Sequence, residues 1–335
     1  MTLNAHKTMM KKTLTLLLML GTLLLTTCTD KRVDLILDTD ANNELDDQHA
    51  ITYLLMHWDE VNIVAITTNA TYYGGDAEAQ AAEARRIVGL MGPLGKKVNV
   101  IAGATADYEE ILPHIGETTF DGSDAVNCII ASARRHSPRN KLLLVPVGKL
   151  TNIALALAKA PDIVPNVRIV WLGSNYPQPG EYNLENDIPS VNAVIDSGAA
   201  FEMAIVASSE GMRGTAEVGM TRREMVERVA GKGPRVEPIE GRAGGTFTCV
   251  GDYLLNLFEQ CSMDDNYYRS LFDMAALATA LYPDRAEVRE IPAPILEGKE
   301  WKERPMASHT IKVLFNFNRE AIIDDFVSHL DAITE

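Results

Sequence analysis

Apolar runs alternate with helical patterns along most of the chain. VDLILD (33–38) and VNIVAITT (61–68) read as buried strands. Between them Ala50, Ile51, Tyr53, Leu54 and Leu55 mark one face of a helix from about Asp46 to His57. A helix from about Ala77 to Met91 precedes VNVIAG (98–103), and a looser stretch with Asp121 and Asp124 leads into a helix reaching about Arg135. KLLLVPVG (141–148) is followed by the helical LTNIALALAKA (150–160). VRIVWLG (167–173) is followed by a loop and a helix around Val191–Ile195. AFEMAIVAS (200–208) and HTIKVLFNF (309–317) are further strands, and REAIIDDFVSHL (319–330) is a closing helix. Continuous apolar strands spaced by helices predict an open α/β fold, with a mostly parallel sheet covered by helices on both faces. The pattern is less regular from about Gly211 to Asn266. There TRREMVERVA (221–230) reads as a helix and GKGPRVEPIEGRAGGTF (231–247) as a mobile loop. No internal repeat or interdomain linker stands out, which favours one domain with insertions.

The N-terminus follows a different pattern. Lys7, Lys11 and Lys12 precede an apolar run from Leu14 to Leu25, then Thr26, Thr27 and Cys28. This is the layout of a lipoprotein-type signal peptide over residues 1–27, which leaves Cys28 as the lipidated first residue of a bacterial periplasmic or cell-surface protein. A cleaved soluble export signal and an uncleaved anchor are the other readings. The remaining chain, about 300 residues, is long enough for one large domain.

The net charge is −15, and the leader holds lysines but no acid, so the remainder is more acidic still. That balance argues against nucleic acid and anionic lipid surfaces as partners, leaving membrane contact to the lipid anchor. Besides Cys28, only Cys128, Cys249 and Cys261 occur, with no CxxC pair. They suggest neither a disulfide framework nor a zinc site, although a Cys249–Cys261 bridge stays open in an oxidising compartment.

The candidate chemistry lies where the first strand meets the first helix. Asp38, Asp40, Glu44, Asp46 and Asp47 crowd this turn, at the sheet edge where open α/β folds bind ligands. Such like charges repel unless neutralised. With almost no Lys or Arg nearby in sequence, a hard divalent cation, calcium or magnesium, is the natural partner. An EF-hand loop counted from Asp38 needs Gly and Glu where Asn43 and His49 stand. A haloacid-dehalogenase-type phosphatase needs Thr or Val where Asn42 stands, and a later acidic pair that is missing.

A third reading is a family resemblance. DTDANNELDDQHA (38–50) resembles the N-terminal signature of the inosine–uridine-preferring nucleoside hydrolases, DxDxGxDDxxA, with two more residues between its acidic pairs. VNIVAITT and VNVIAGA resemble the family's second and third strands. LLLVPVGKLTNIALAL (142–157), GEYNLENDIPSVNAV (180–194) and LFDMAALA (271–278) resemble its later blocks, in order, with weakest coverage from about Gly211 to Tyr268. The resemblance implies a nucleoside hydrolase-like domain over residues 28–335 and a calcium ion at the bottom of a pocket. Asp40, Asp47 and Asp273 match its carboxylate ligands, and the Val147 carbonyl its main-chain ligand. Asp40 also matches the general base. Asp46, Glu181 and Asn183 match sugar-binding groups, and Asn175 stands near the place of a further one. Hydrolysis of an N-glycosidic bond passes through an oxocarbenium-like sugar, which surrounding carboxylates stabilise.

The departures bear on the leaving group. Phe272 stands where many members carry a His that protonates the departing base, and Asp121 stands near another common His position. TNATYYGGD (68–76) replaces a Gly-Asn pair. Tyr72, Tyr73, Tyr267 and Tyr268 are candidate donors, though each is more simply a half-buried aromatic. Trp171, His49 and His57 read as packing or surface residues. The expectation is a calcium-dependent hydrolase of a ribonucleoside or related N-riboside. The alternative is a calcium-dependent ribosyl- or polyol-binding lipoprotein without turnover. Assembly as a homo-oligomer stays open.

Overall fold

The structure, a computed structural model, describes residues 32–209 and 211–334. The expected leader and Cys28 lie outside the described residues. The strands are β1 (Val33–Thr39), β2 (Val61–Thr68), β3 (Val100–Ala102), β4 (Leu142–Pro146), β5 (Val167–Ser174), β6 (Ala200–Ile205), β7 (Glu287–Pro292) and β8 (Thr310–Phe315). They form one eight-stranded sheet in the order β7-β8-β6-β5-β4-β1-β2-β3. Every pairing is parallel except β7 with β8. This is the expected sheet, with one antiparallel edge strand added.

The continuous apolar strands are explained by burial on both faces. Leu35, Leu37, Leu143 and Val145 enter one core, while Ile36, Leu142 and Leu144 enter the other. Successive residues thus feed opposite layers, and neither face can be polar. The main helices are α1 (Asp46–Met56), α2 (Ala77–Leu90), α3 (Ser123–Ala133), α4 (Thr151–Lys159), α5 (Tyr182–Asn186), α6 (Ile188–Asp196), α7 (Arg222–Arg228), α8 (Val250–Cys261), α9 (Phe272–Leu281) and α10 (Arg319–Ala332). Every residue of α1 is buried, including its two leading aspartates, because α1 packs against α2, α9 and α10. No described helix is long and apolar enough to cross a membrane.

Three details differ from expectation. The 231–247 stretch is not wholly a loop, since Ile239–Glu240 pairs with Thr246–Phe247 as a short antiparallel hairpin. The edge strand β7 has no apolar run to announce it: its first four residues are exposed, ahead of the first buried one, Ile291. A Cys249–Cys261 bridge does not form. Cys249 caps the start of α8 and Cys261 ends it, so the helix holds them about 18 Å apart, and both are free thiols.

Candidate active site

The carboxyl ends of β1, β4, β5 and β6 open onto a cavity of about 330 Å³. Its lining includes Asp40, Asp46, Asp47, Val147, Asn175, Glu181, Asn183, Phe272 and Asp273, which are the residues that the family resemblance assigned to metal, sugar or leaving group. Five segments meet here: the β1–α1 turn, the end of β4, the stretch from β5 into α5, the end of β6, and the first turn of α9.

The floor is a group of buried carboxylates. Asp46, Asp47 and Asp273 each offer an oxygen within 4.8 Å of the others. Asp40 stands beside them, its Oδ2 accepting hydrogen bonds from Thr71 Oγ1 at 2.6 Å and Asn43 Nδ2 at 3.3 Å. Thr39 Oγ1 donates to Asp47. Burial pushes Asp46 and Asp47 up to about 7, and neighbouring carboxylates add to this. Burial and the adjacent acids hold Asp40 and Asp273 well above the usual carboxylate range. The donors are all hard oxygens, and the negative charge exceeds what the surrounding hydrogen bonds compensate, so a divalent cation with oxygen ligands fits this floor.

The rest of the pocket is fixed by polar contacts. Asn183 Nδ2 donates to the Val147 carbonyl at 2.7 Å and the Leu172 carbonyl at 3.1 Å, binding the turn after β4 to β5. A carbonyl oxygen has two lone pairs, so Val147 keeps one for another partner. Glu181 caps α5 by accepting from the Leu184 amide at 3.1 Å, and burial raises its carboxyl to about 7. Asn175 Oδ1 accepts from the Ala207 amide. Gly148 follows Val147 because no side chain fits: a Cβ there would lie 2.8 Å from the Asn69 amide and 2.9 Å from Asp40 Oδ1. Trp171, a core residue as expected, donates its indole N–H to the Gly148 carbonyl at 3.0 Å and holds that turn from below.

Not every residue of the acidic turn belongs to the pocket. Asp38 is fully buried and accepts from Thr67, Asn69 and Asn152, which joins β1 to β2 and α4. Asp121 accepts from the Thr105 and Ala106 amides and shapes a loop instead of lining the cavity. Tyr268 donates to the Glu217 carbonyl and Tyr267 packs on Phe258, and neither lines the cavity. Tyr72 and Tyr73 stay exposed beside Tyr182, a pocket residue whose ring contacts both. His49 is buried, with Nδ1 on the Leu45 carbonyl. His57 bonds Asp325 together with Tyr53 and Arg285, tying α10 to α1.

Two arginines answer the lack of cations in the local sequence. Arg242 donates to the carbonyls of Ala41 (3.3 Å) and Glu44 (2.6 Å), and Arg269 forms an ion pair with the Glu44 carboxylate. Both act on the acidic turn, yet they lie some two hundred residues further along the chain. Nothing in the local pattern signals such pairings. Glu44, Asn43 and Tyr182 join the lining, and the first two sit in the longer spacing between the aspartate pairs.

Known proteins share this fold. A solved inosine-uridine preferring nucleoside hydrolase from Bacillus anthracis superposes with a TM-score of 0.65 at 18% identity, covering 89% of this chain and 99% of that one. A curated inosine-uridine preferring nucleoside hydrolase from Leishmania major is 27% identical over 281 residues, 78% of this chain and 82% of the relative. One from Crithidia fasciculata is 32% identical over 183 residues, 50% of this chain and 55% of the relative. The family model for inosine-uridine preferring nucleoside hydrolase matches residues 35–324, and the chain belongs to that family. It is an N-glycosidase, a hydrolase of the N-glycosidic bond of ribonucleosides. That membership favours turnover over a binding-only role for the pocket.

Proposed function

We propose that the chain is a calcium-dependent ribonucleoside hydrolase in which Asp40, Asp47, Asp273 and the Val147 carbonyl hold the ion and Asp40 is the general base. The observation that supports it is the convergence of these groups on one cavity whose floor crowds buried carboxyl groups that ionise together only beside a cation. Bound there, calcium supplies positive charge that draws sugar hydroxyls and water into place. The protein's own groups do the rest. Asp40 accepts the proton of the attacking water as its oxygen bonds to the anomeric carbon. The carbon–nitrogen bond breaks, and its electron pair leaves with the base. Asp46, Glu181 and Asn183 hold the ribose hydroxyls, so binding energy orients the ring. The buried carboxylates favour the developing oxocarbenium charge. Phe272 presents an aromatic face to the departing base and no proton.

The experiment measures reducing-sugar release from inosine, uridine and a nitrophenyl riboside, before and after chelation and with calcium added back. Loss on chelation and recovery with calcium support the assignment. Full activity in the chelated protein, with no metal left by elemental analysis, refutes it. Residues 1–27 and Cys28 support a second proposal, that the enzyme is exported and lipid-anchored. Labelled palmitate should enter the wild type and not Cys28→Ser. Equal labelling of both would sink it.

A further inference from the structure

Glu44 is held with unusual care for a loop residue. Its main-chain carbonyl accepts from Arg242 at 2.6 Å, and its carboxylate Oε2 accepts from Arg269 Nη2. Arg269 is partly buried, and its Nε has no hydrogen-bond partner, which is an unfavourable arrangement for a residue that only decorates a surface. Glu44 belongs to the longer spacing between the acidic pairs, and that spacing carries it into the cavity lining. Glu44 and Phe272 both line the cavity, and Arg269, outside the lining, precedes Phe272 by three residues and so ties Glu44 to the segment that carries the ring. Oε2 is engaged, and the side chain is about half exposed. The carboxylate therefore keeps lone pairs free, in a residue that lines the pocket. Ionised, it accepts hydrogen bonds and donates none.

We propose that Glu44, positioned by Arg242 and Arg269, is a specificity-determining residue that accepts a hydrogen bond from a ring N–H of the leaving base. The class of substrate it selects is the lactam bases, such as hypoxanthine and uracil, whose ring nitrogen carries a hydrogen next to a carbonyl. A methyl on that nitrogen removes the donor and sets a methyl group against a carboxylate. The inference rests on the hydrolase reading above and adds the part of the base that is read.

The test compares kcat/KM on inosine with 1-methylinosine, and on uridine with 3-methyluridine, with a nitrophenyl riboside as a substrate that has no such edge. Wild type should prefer the unmethylated member of each pair by about tenfold or more. Glu44→Ala should bring both ratios close to one. Glu44→Gln, which keeps the side chain's volume, should lower them as well, because the charge that strengthens the bond is lost. A flat ratio in wild type, or an unchanged one in both variants, overturns the role of Glu44 while cleavage of the nitrophenyl riboside leaves the hydrolase reading standing. Failure to cleave any of the five substrates overturns both.

Discussion

Gly148→Ala tests whether the pocket is as tightly built as its contacts imply. The added Cβ would lie 2.9 Å from Asp40 Oδ1 and 2.8 Å from the Asn69 amide, whereas ordinary contact begins at 3.4 Å. Neither neighbour can retreat without straining a hydrogen bond. Asn69 Nδ2 is held by Asp38 at 3.0 Å, and Asp40 Oδ2 by Thr71 at 2.6 Å. Asp40 therefore yields by about half an ångström. Misplacement of a reacting group by about 1 Å costs on the order of 10²-fold, so kcat/KM should fall roughly tenfold. Overpacking of this kind costs about 1–3 kcal/mol, which lowers the melting temperature by a few degrees. Gly198→Ala is the control. Gly198 has φ +75°, and nothing lies within 4 Å of where its Cβ would stand, so the cost is backbone strain of about 1–2 kcal/mol and no pocket atom moves. The two variants should melt alike but differ in kcat/KM on the nitrophenyl riboside. Equal activity in both, within twofold of wild type, would refute the view that Gly148 is required by its closeness to Asp40.

Three further outcomes follow from the same geometry. Asp40→Asn should lower turnover by about 10² or more while a ribose analogue still binds, and Asp46→Ala should weaken that binding by roughly 1.5–3 kcal/mol; calorimetry beside single-turnover rates separates them. Phe272→His should narrow the gap between nitrophenyl riboside and inosine, since a positioned acid contributes about 10²–10⁴-fold; an unchanged ratio in an active variant would assign protonation elsewhere. Burial disfavours the ionised Asp325, but hydrogen bonds from His57, Arg285 and Tyr53 outweigh it and hold the carboxyl well below its usual range. Its contribution to stability is therefore complete above the unfolded carboxylate value of about 3.9 and declines as the pH falls below that towards the folded value. Asp325→Asn should cost about 2–3 kcal/mol in urea unfolding at pH 7, with the two proteins converging below about pH 4. A constant difference across that range would mean that packing, not charge, supplies it.

The sheet was legible wherever both faces are buried. VNIVAITT matches β2 residue for residue: Ala65 to Thr68 are buried, and the exposed Asn62 does not interrupt the apolar Val61, Ile63 and Val64 around it. β7 was not legible, since Glu287, Arg289 and Glu290 face solvent on an edge strand and read as a polar loop. The helix α8 did carry a signal: Val250, Tyr253, Leu254, Leu257 and Phe258 fall at helical spacing and are buried. The glycine-rich loop before it drew the reading away. At the candidate site, Asp40, Asp47, Val147, Glu181 and Asp273, which line one cavity, were readable from their blocks. Arg242 and Arg269 were not, because an ion pair across two hundred residues leaves no periodicity in the chain.

The floor of the pocket also bears on how the protein is made. Asp40, Asp46 and Asp47 emerge early in synthesis, while Asp273 and Arg269 come from the final quarter. A chain stopped before α9 therefore has a bare acidic turn and no complete nest of oxygens for a cation. On the reading proposed above, calcium binds only when the last helices have docked, and each ion captured favours the finished fold over every shorter or partly assembled one. The cation then serves as a late checkpoint of assembly, with its uptake reporting that both ends of the domain have met.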